Sequence, residues 1–352
     1  MDGVVSAAGG TQQVAGTLSG GGQRASRPRR ANGGDLGTSC RAGGDGGPRF
    51  DVEVPHSGYA WWYLDALSDD GAQALTIIAF IGSVFSPHYA AARRRGAANP
   101  REHCALNVAL YGRGKHWALT ERPRAALEQS ETTLRIGPSA LQWKDGALTV
   151  DIDERAVPRF TRLRGRIRLF PRALTSCVNV LDEAGGHHWW PIAPQARVEV
   201  EMQNPSLRWS GSGYLDSNWG ARALEEDFTD WTWSRAETKD GALTLYDAQR
   251  RHGDAVSLAY RFGGDGSVQT FAPPPVADLP RTGWRMPRPT RSEGGARAIR
   301  TLEDTPFYAR SVIETQLLGA RVQAVHESLS LARFKTRWVQ TLLPFRAPRA
   351  RR

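Results

Sequence analysis

The chain is poor in sulfur, with three cysteines and three methionines in 352 residues. Cys40, Cys104 and Cys177 are odd in number and scattered, so neither a disulfide framework nor a CxxC-type metal site is indicated, and a reducing interior is expected. Lysine is scarcer still: only four of the 46 basic residues are Lys. That bias points to GC-rich coding, which makes the net charge of +10 a weak argument for a polyanionic partner. The Arg residues are also spread along the chain instead of forming one basic helix or a stacking platform, so no nucleic-acid partner is expected. No apolar run reaches the roughly 18 residues of a membrane span, and the first residues lack the basic-then-apolar order of a secretory signal. Sustained helical periodicity is missing; residues 90–98 and 221–227 are the two places for a short helix. His56, His88, His103 and His116 lack metal-ligand spacing, so no metal site is expected.

What is present is glycine at one end and aromatics throughout. Residues 1–48 hold 14 of the 37 glycines and almost no large apolar side chain, a composition that predicts a disordered tail. Twelve tryptophans suggest cavities with rigid aromatic walls. Residues 74–81 form a continuous apolar run, 104–111 and 162–170 alternate, and each predicts one strand. Asp-Gly pairs at 70–71, 145–146 and 240–241 sit between such runs as hairpin signals. The fold class is therefore all-β, with many short antiparallel strands. The Pro-rich stretch 273–289 predicts a long loop.

An internal echo divides the chain. Trp61, Tyr63, Asp70-Gly71 and Leu75-Thr76 match Trp231, Trp233, Asp240-Gly241 and Leu243-Thr244, as expected if two barrel-like domains lie in tandem. The expected domains are 49–195 and 196–345, after the tail 1–48 and before a basic tail 346–352. Residues 333–352 carry seven Arg or Lys and no acid, interleaved with Phe334, Trp338, Leu342, Leu343 and Phe345. That mixture suits an anionic lipid surface.

The segment richest in chemistry is Gly-Ser-Gly-Tyr-Leu-Asp-Ser-Asn-Trp-Gly at 211–220. In an extended chain Tyr214, Asp216 and Asn218 share one face, and Leu215, Ser217 and Trp219 the other. A carboxyl packed among aromatics is driven toward its neutral form, which can deliver a proton to a poor base. By itself such an Asp would more often be a turn residue. Asp227 and Asp230 are expected in a loop, with Asp230 the reserve candidate for a second carboxylate.

Four blocks together, Gly58 to Asp65, Leu75 to Pro87, His103 to Gly112 and Gly211 to Gly220, resemble the bacterial carotenoid 1,2-hydratase family, also called hydroxyneurosporene synthase. The likeness runs from about residue 50 to 345. It implies a pair of lipocalin-like barrels and a cofactor-free lyase that adds water across the terminal double bond of acyclic carotenoids such as neurosporene and lycopene. It further implies a catalytic set of His187, Trp189, Tyr214 and Asp216. In the chemistry so implied, Asp216 protonates C2, the Trp189 and Tyr214 rings face the cation at C1, and His187 positions water or reprotonates Asp216. The expected partners are the acyclic carotenoid, water and membrane lipid, with the protein in the bacterial cytoplasm against the inner or intracytoplasmic membrane. A non-catalytic isoprenoid carrier would share the barrels and lining, yet gain nothing from a buried acid.

Overall fold

The structure is a computed structural model that describes residues 46–350. The expected disordered tail lies outside the described residues except for 46–48, where Gly47 sits so close to the Trp143 indole that a Cβ would overlap it. The chain is all-β, as two lipocalin-like antiparallel sheets in tandem.

The first sheet comprises β1 (Tyr59–Ser68), β2 (Ala74–Ile81), β3 (Cys104–Tyr111), β4 (His116–Arg122), β5 (Leu127–Gln129), β6 (Thr133–Ile136), β7 (Ser139–Lys144), β8 (Ala147–Arg155), β9 (Arg162–Pro171), β10 (Asn179–Val180), β11 (His187–Asn204) and β12 (Leu207–Gly220). Its order is β4-β3-β2-β1-β12-β11-β9-β8-β7-β6-β5, with β10 beside β11, and it curls until Val157 N–H meets Trp117 C=O at 2.8 Å. The second sheet uses β13 (Phe228–Thr238), β14 (Gly241–Arg250), β15 (Val256–Gly263) and β16 (Val268–Thr270). After a separate hairpin of β17 (Val276–Leu279) and β18 (Arg288–Arg291), it is completed by β19 (Arg297–Asp304), β20 (Tyr308–Leu317) and β21 (Ala320–Ser330). The order is β16-β15-β14-β13-β21-β20-β19. The expected boundary at 195/196 falls inside β11, because β12 pairs with both β1 and β11 and keeps residues up to 220 in the first sheet. The Pro-rich stretch holds the β17–β18 hairpin rather than a bare loop.

Burial explains the two kinds of strand pattern. On β9 every other residue is an exposed Arg or Phe, so that strand has one wet face. β1 and β3 are buried on both faces: Trp62, Leu64 and Ala66 enter the core of the first barrel, whereas Tyr59, Trp61 and Tyr63 point at the second sheet. The continuous apolar runs are thus the strands sandwiched between the two units. Two short helices, α1 (Pro87–Arg95) and α2 (Leu224–Asp227), occupy the loops expected to hold them. All three Asp-Gly pairs turn hairpins, but only Asp145-Gly146 has positive φ at both residues (52° and 72°). Cys104 is a buried free thiol, while Cys177 is disulfide-bonded.

The internal echo is a contact map. Residues 170 apart meet across the interface: Trp61 stacks on Trp231 at 5.9 Å between ring centroids, Tyr63 meets Trp233 edge-on at 5.5 Å, and Asp65 pairs with Arg235. The β1–β2 and β13–β14 hairpins therefore face each other as equivalents, each with its own partner strand, β12 or β21. Arg310 also reaches Asp65, and all three charged side chains are buried.

The C-terminal segment closes one side of this interface with α3 (Leu331–Phe334) and α4 (Arg337–Leu342). Phe334, Val339, Leu343 and Ala347 are buried in it. Residues 346–350, expected as a basic tail, run beside β4, with Glu121 N–H bonded to Pro348 C=O and Ala350 N–H to Glu121 C=O. Among the described residues no helix is long and apolar enough to cross a membrane.

Candidate active site

The main cavity, about 450 Å³, lies between the two sheets and not inside a barrel. β1 to β4 and β12 supply one wall, β13, β14, β20 and β21 the other, and the C-terminal helices the rim. Trp61, Trp231, Trp233 and Tyr246 are among the aromatic side chains that line it together with Asp216.

The expected alternation on β12 holds. Tyr214 points to the inter-sheet cluster, Leu215 into the barrel core, and Asp216 and Asn218 line the cavity. β11 places His187 opposite Gly220 and Trp189 opposite Asn218, so both share that face, while His188 stacks on Trp219 on the far side.

Asp216 is buried, and both of its donors converge on one oxygen. Trp189 Nε1–H donates to Oδ2 at 3.0 Å and Tyr214 O–H to the same atom at 2.9 Å. Oδ1 is buried without a hydrogen-bond partner. Neither Trp189 nor Tyr214 lines the cavity, so they sit behind the acid and hold it, instead of presenting their rings to the cavity as the sequence suggested. Burial pushes the Asp216 carboxyl up to about 8 against the opposing pull of its two donors. An unpartnered, desolvated oxygen is where a proton would reside in a neutral carboxyl, since Oδ2 is already an acceptor twice over.

His187 lies apart from this pair. Its Nδ1 is 2.9 Å from Tyr59 O–H and its Nε2 is 2.7 Å from Asp227 Oδ2, so both ring nitrogens are engaged away from Asp216. The imidazole does not line the cavity. Burial opposes ionisation of Asp227, but Arg222 and His187 together hold its carboxyl below the ordinary value. Tyr59 in turn stacks on Trp61 at 4.9 Å, which links His187 to the cavity wall at second hand. Asp230, the reserve second carboxylate, is exposed at the start of β13.

Sequence reasoning missed two further carboxylates of the cavity, Asp304 at the end of β19, whose Oδ2 accepts from Trp284 N–H at 3.2 Å, and Glu327 on β21. Tyr63 O–H at 2.7 Å, Tyr308 O–H at 2.8 Å and the Arg310 guanidinium all donate to its Oε1. A signal existed: Leu215-Asp216-Ser217 is echoed by His326-Glu327-Ser328, but at a spacing unlike that of the hairpins. Asn107 and Asn218 add amides to the same lining, Nδ2 of the former bonded to Ala118 C=O at 2.9 Å and of the latter to Tyr246 O–H at 3.3 Å.

Around the rim, Trp284, Trp338, Leu342 and Phe345 are exposed, Phe345 to 76%. Trp284 and Trp338 stack at 6.2 Å. Of the five apolar residues first read as interfacial, Phe334 and Leu343 serve the core instead.

The family described as carotenoid hydratase CrtC matches residues 77–352. The chain is 55% identical over 353 residues to the acyclic carotenoid 1,2-hydratase of Thiocapsa roseopersicina, covering 99% of this chain and 87% of that protein. It is 49% identical over 345 residues to the enzyme of the same name from Rubrivivax gelatinosus, covering 96% and 85%. With that of Rhodobacter capsulatus it shares 42% over 277 residues, covering 78% and 97%. Among solved structures, a protein described as AttH from Nitrosomonas europaea superposes with a TM-score of 0.53 at 14% identity, covering 81% of this chain and 99% of that one, a likeness of fold.

Proposed function

This chain belongs to the carotenoid hydratase family and is a hydro-lyase, and on that premise we propose that it hydrates the terminal C1–C2 double bond of an acyclic carotenoid, with Asp216 as the acid. The observation that carries the reading is the Asp216 carboxyl: two donors on Oδ2, an unpartnered Oδ1, and a cavity wall around it. A trisubstituted alkene is a very weak base. Its protonation needs an acid that stays neutral near pH 7 and is shielded from bulk water. Proton transfer from Oδ1 to C2 leaves a tertiary cation at C1, which water captures to give the 1-hydroxy product.

The surrounding side chains then take distinct roles. Trp189 and Tyr214 fix the orientation of the acid and stabilise its carboxylate after the proton has left. The rings that face the cation are Trp61, Trp231 and Trp233, each able to contribute on the order of 1–2 kcal/mol. His187 is a positioning residue, holding Tyr59 and through it the Trp61 ring. A carrier with no reaction to perform would have no use for a carboxyl held neutral at this cost.

A C40 hydrocarbon resides in the bilayer, so the cavity must open against lipid. The rim offers Trp284, Trp338, Leu342 and Phe345 for the interface, with Lys335 and Arg337 on the same segment for anionic headgroups. The deciding experiment is product analysis of lycopene or neurosporene incubated with the purified protein. A 1-hydroxy product supports the reading; recovery of bound, unaltered carotene would favour the carrier.

A further inference from the structure

The pseudo-symmetry of the two sheets puts a second carboxylate opposite the first. In the first sheet Tyr63 on β1 pairs with Asp216 on β12; in the second, Trp233 on β13 pairs with Glu327 on β21. Tyr63 and Trp233 are the echoed pair that meet across the interface. Asp216 and Glu327 therefore occupy equivalent register positions on facing sheets, and both line the same cavity.

Their surroundings are opposite in character. Asp216 has two uncharged donors and no cation, whereas Glu327 receives the Arg310 guanidinium and two tyrosine hydroxyls. All three of those donors fall on Oε1, so among the described residues Oε2 is left for a ligand in the cavity. A carboxylate beside a guanidinium is an acceptor, and an acceptor facing the acid across one cavity is what the second half of a hydration needs.

We propose that Glu327 is the base of the reaction, taking through Oε2 a proton from the water that attacks C1 while Asp216 protonates C2 from the other wall. The proposal rests on the hydratase reading above. The bookkeeping closes: the alkene gains H⁺ at C2 and hydroxide at C1, Asp216 loses the proton and Glu327 gains one. Glu327 then releases its proton to solvent at the open rim, and Asp216 is recharged from solvent.

Two variants test it with lycopene as the probe. Glu327→Gln keeps an acceptor for the three donors but cannot take the proton, so kcat should fall roughly a hundredfold or more with KM within threefold. Glu327→Ala opens space for azide, an anion that needs no base to attack a cation. With azide added, that variant should regain turnover and yield a product carrying azide at C1, whereas Asp216→Asn should yield none because it forms no cation. Turnover of Glu327→Gln within threefold of the native enzyme would overturn the proposal. So would a folded Glu327→Ala that gives no azide product. If Glu327→Ala does not fold, the kcat and KM of Glu327→Gln decide alone. Failure of the native protein to hydrate any acyclic carotene would instead sink the hydratase reading.

Discussion

Trp189 and Asp216 are joined across β11 and β12 by one hydrogen bond of 3.0 Å, from the indole N–H to Oδ2, and that bond decides which carboxyl oxygen is free. With Tyr214 on the same atom, Oδ1 is the oxygen left without a partner. The carboxyl is thus oriented by the protein's own donors.

Asp216→Asn keeps the two acceptor contacts but removes the transferable proton, so hydration should drop on the order of 10²–10⁴-fold in a folded protein. Stability should move the other way with pH. An unfolded Asp ionises near pH 4 and the folded one near about 8, so between these values the native state binds the extra proton and its stability falls as pH rises. The Asn variant lacks that slope. Its melting temperature relative to the native enzyme should climb from pH 4 to pH 8, as scanning calorimetry would read directly.

On the proposed mechanism the same carboxyl should set the alkaline limb of the activity. Above about pH 8 the acid ionises and kcat/KM should fall tenfold per pH unit. Tyr214→Phe and Trp189→Phe each remove a donor that holds the carboxyl down, so the limb should shift to higher pH in both. A loss of turnover with an unmoved limb would mean that these rings act on the cation instead.

Much of this was legible in the sequence and some was not. Periodicity placed β2 and β3 at their observed bounds and put Tyr214 and Asp216 on one face, because strand alternation is local. The echo between Trp61 and Trp231 was readable too, yet its meaning as a contact depends on how two sheets pack, which no local pattern encodes. Glu327 was missed for the same reason: its likeness to the Asp216 segment has no meaning on β21 until the second sheet docks on the first. His187 was placed in the site by the family resemblance, and its spacing from Trp189 gives it the same strand face, but that face extends past the cavity, and its ring ends in a separate cluster with Tyr59 and Asp227.

Asp65 bonds the two sheets through Arg235 and Arg310 with all three side chains buried. Asp65→Asn leaves the buried Arg235 guanidinium without its carboxylate and Arg310 with Glu327 alone, and a loss of about 3–5 kcal/mol is expected from urea unfolding. An unchanged midpoint would show that solvent reaches the interface.

Trp338 and Arg337 belong to the rim but do not line the cavity. Trp338→Ser with Arg337→Glu should weaken co-sedimentation with anionic vesicles roughly tenfold while leaving turnover of detergent-dispersed lycopene near normal. Truncating 339–352 is a poorer test, since Val339, Leu343 and Ala347 are buried and the strand-like 348–350 edge bonds β4. Equal vesicle binding by the double variant would move the docking surface elsewhere.

The central claim is that Asp216 hands a solvent-derived proton to C2. Lycopene hydrated in heavy water enriched in ¹⁸O, with the product analysed by mass spectrometry and NMR, tests it most directly. Expected are one deuterium at C2 and ¹⁸O at C1 with the native enzyme, and neither with Asp216→Asn. Deuterium at another carbon, or the same labelled alcohol formed at a comparable rate by Asp216→Asn, would contradict it.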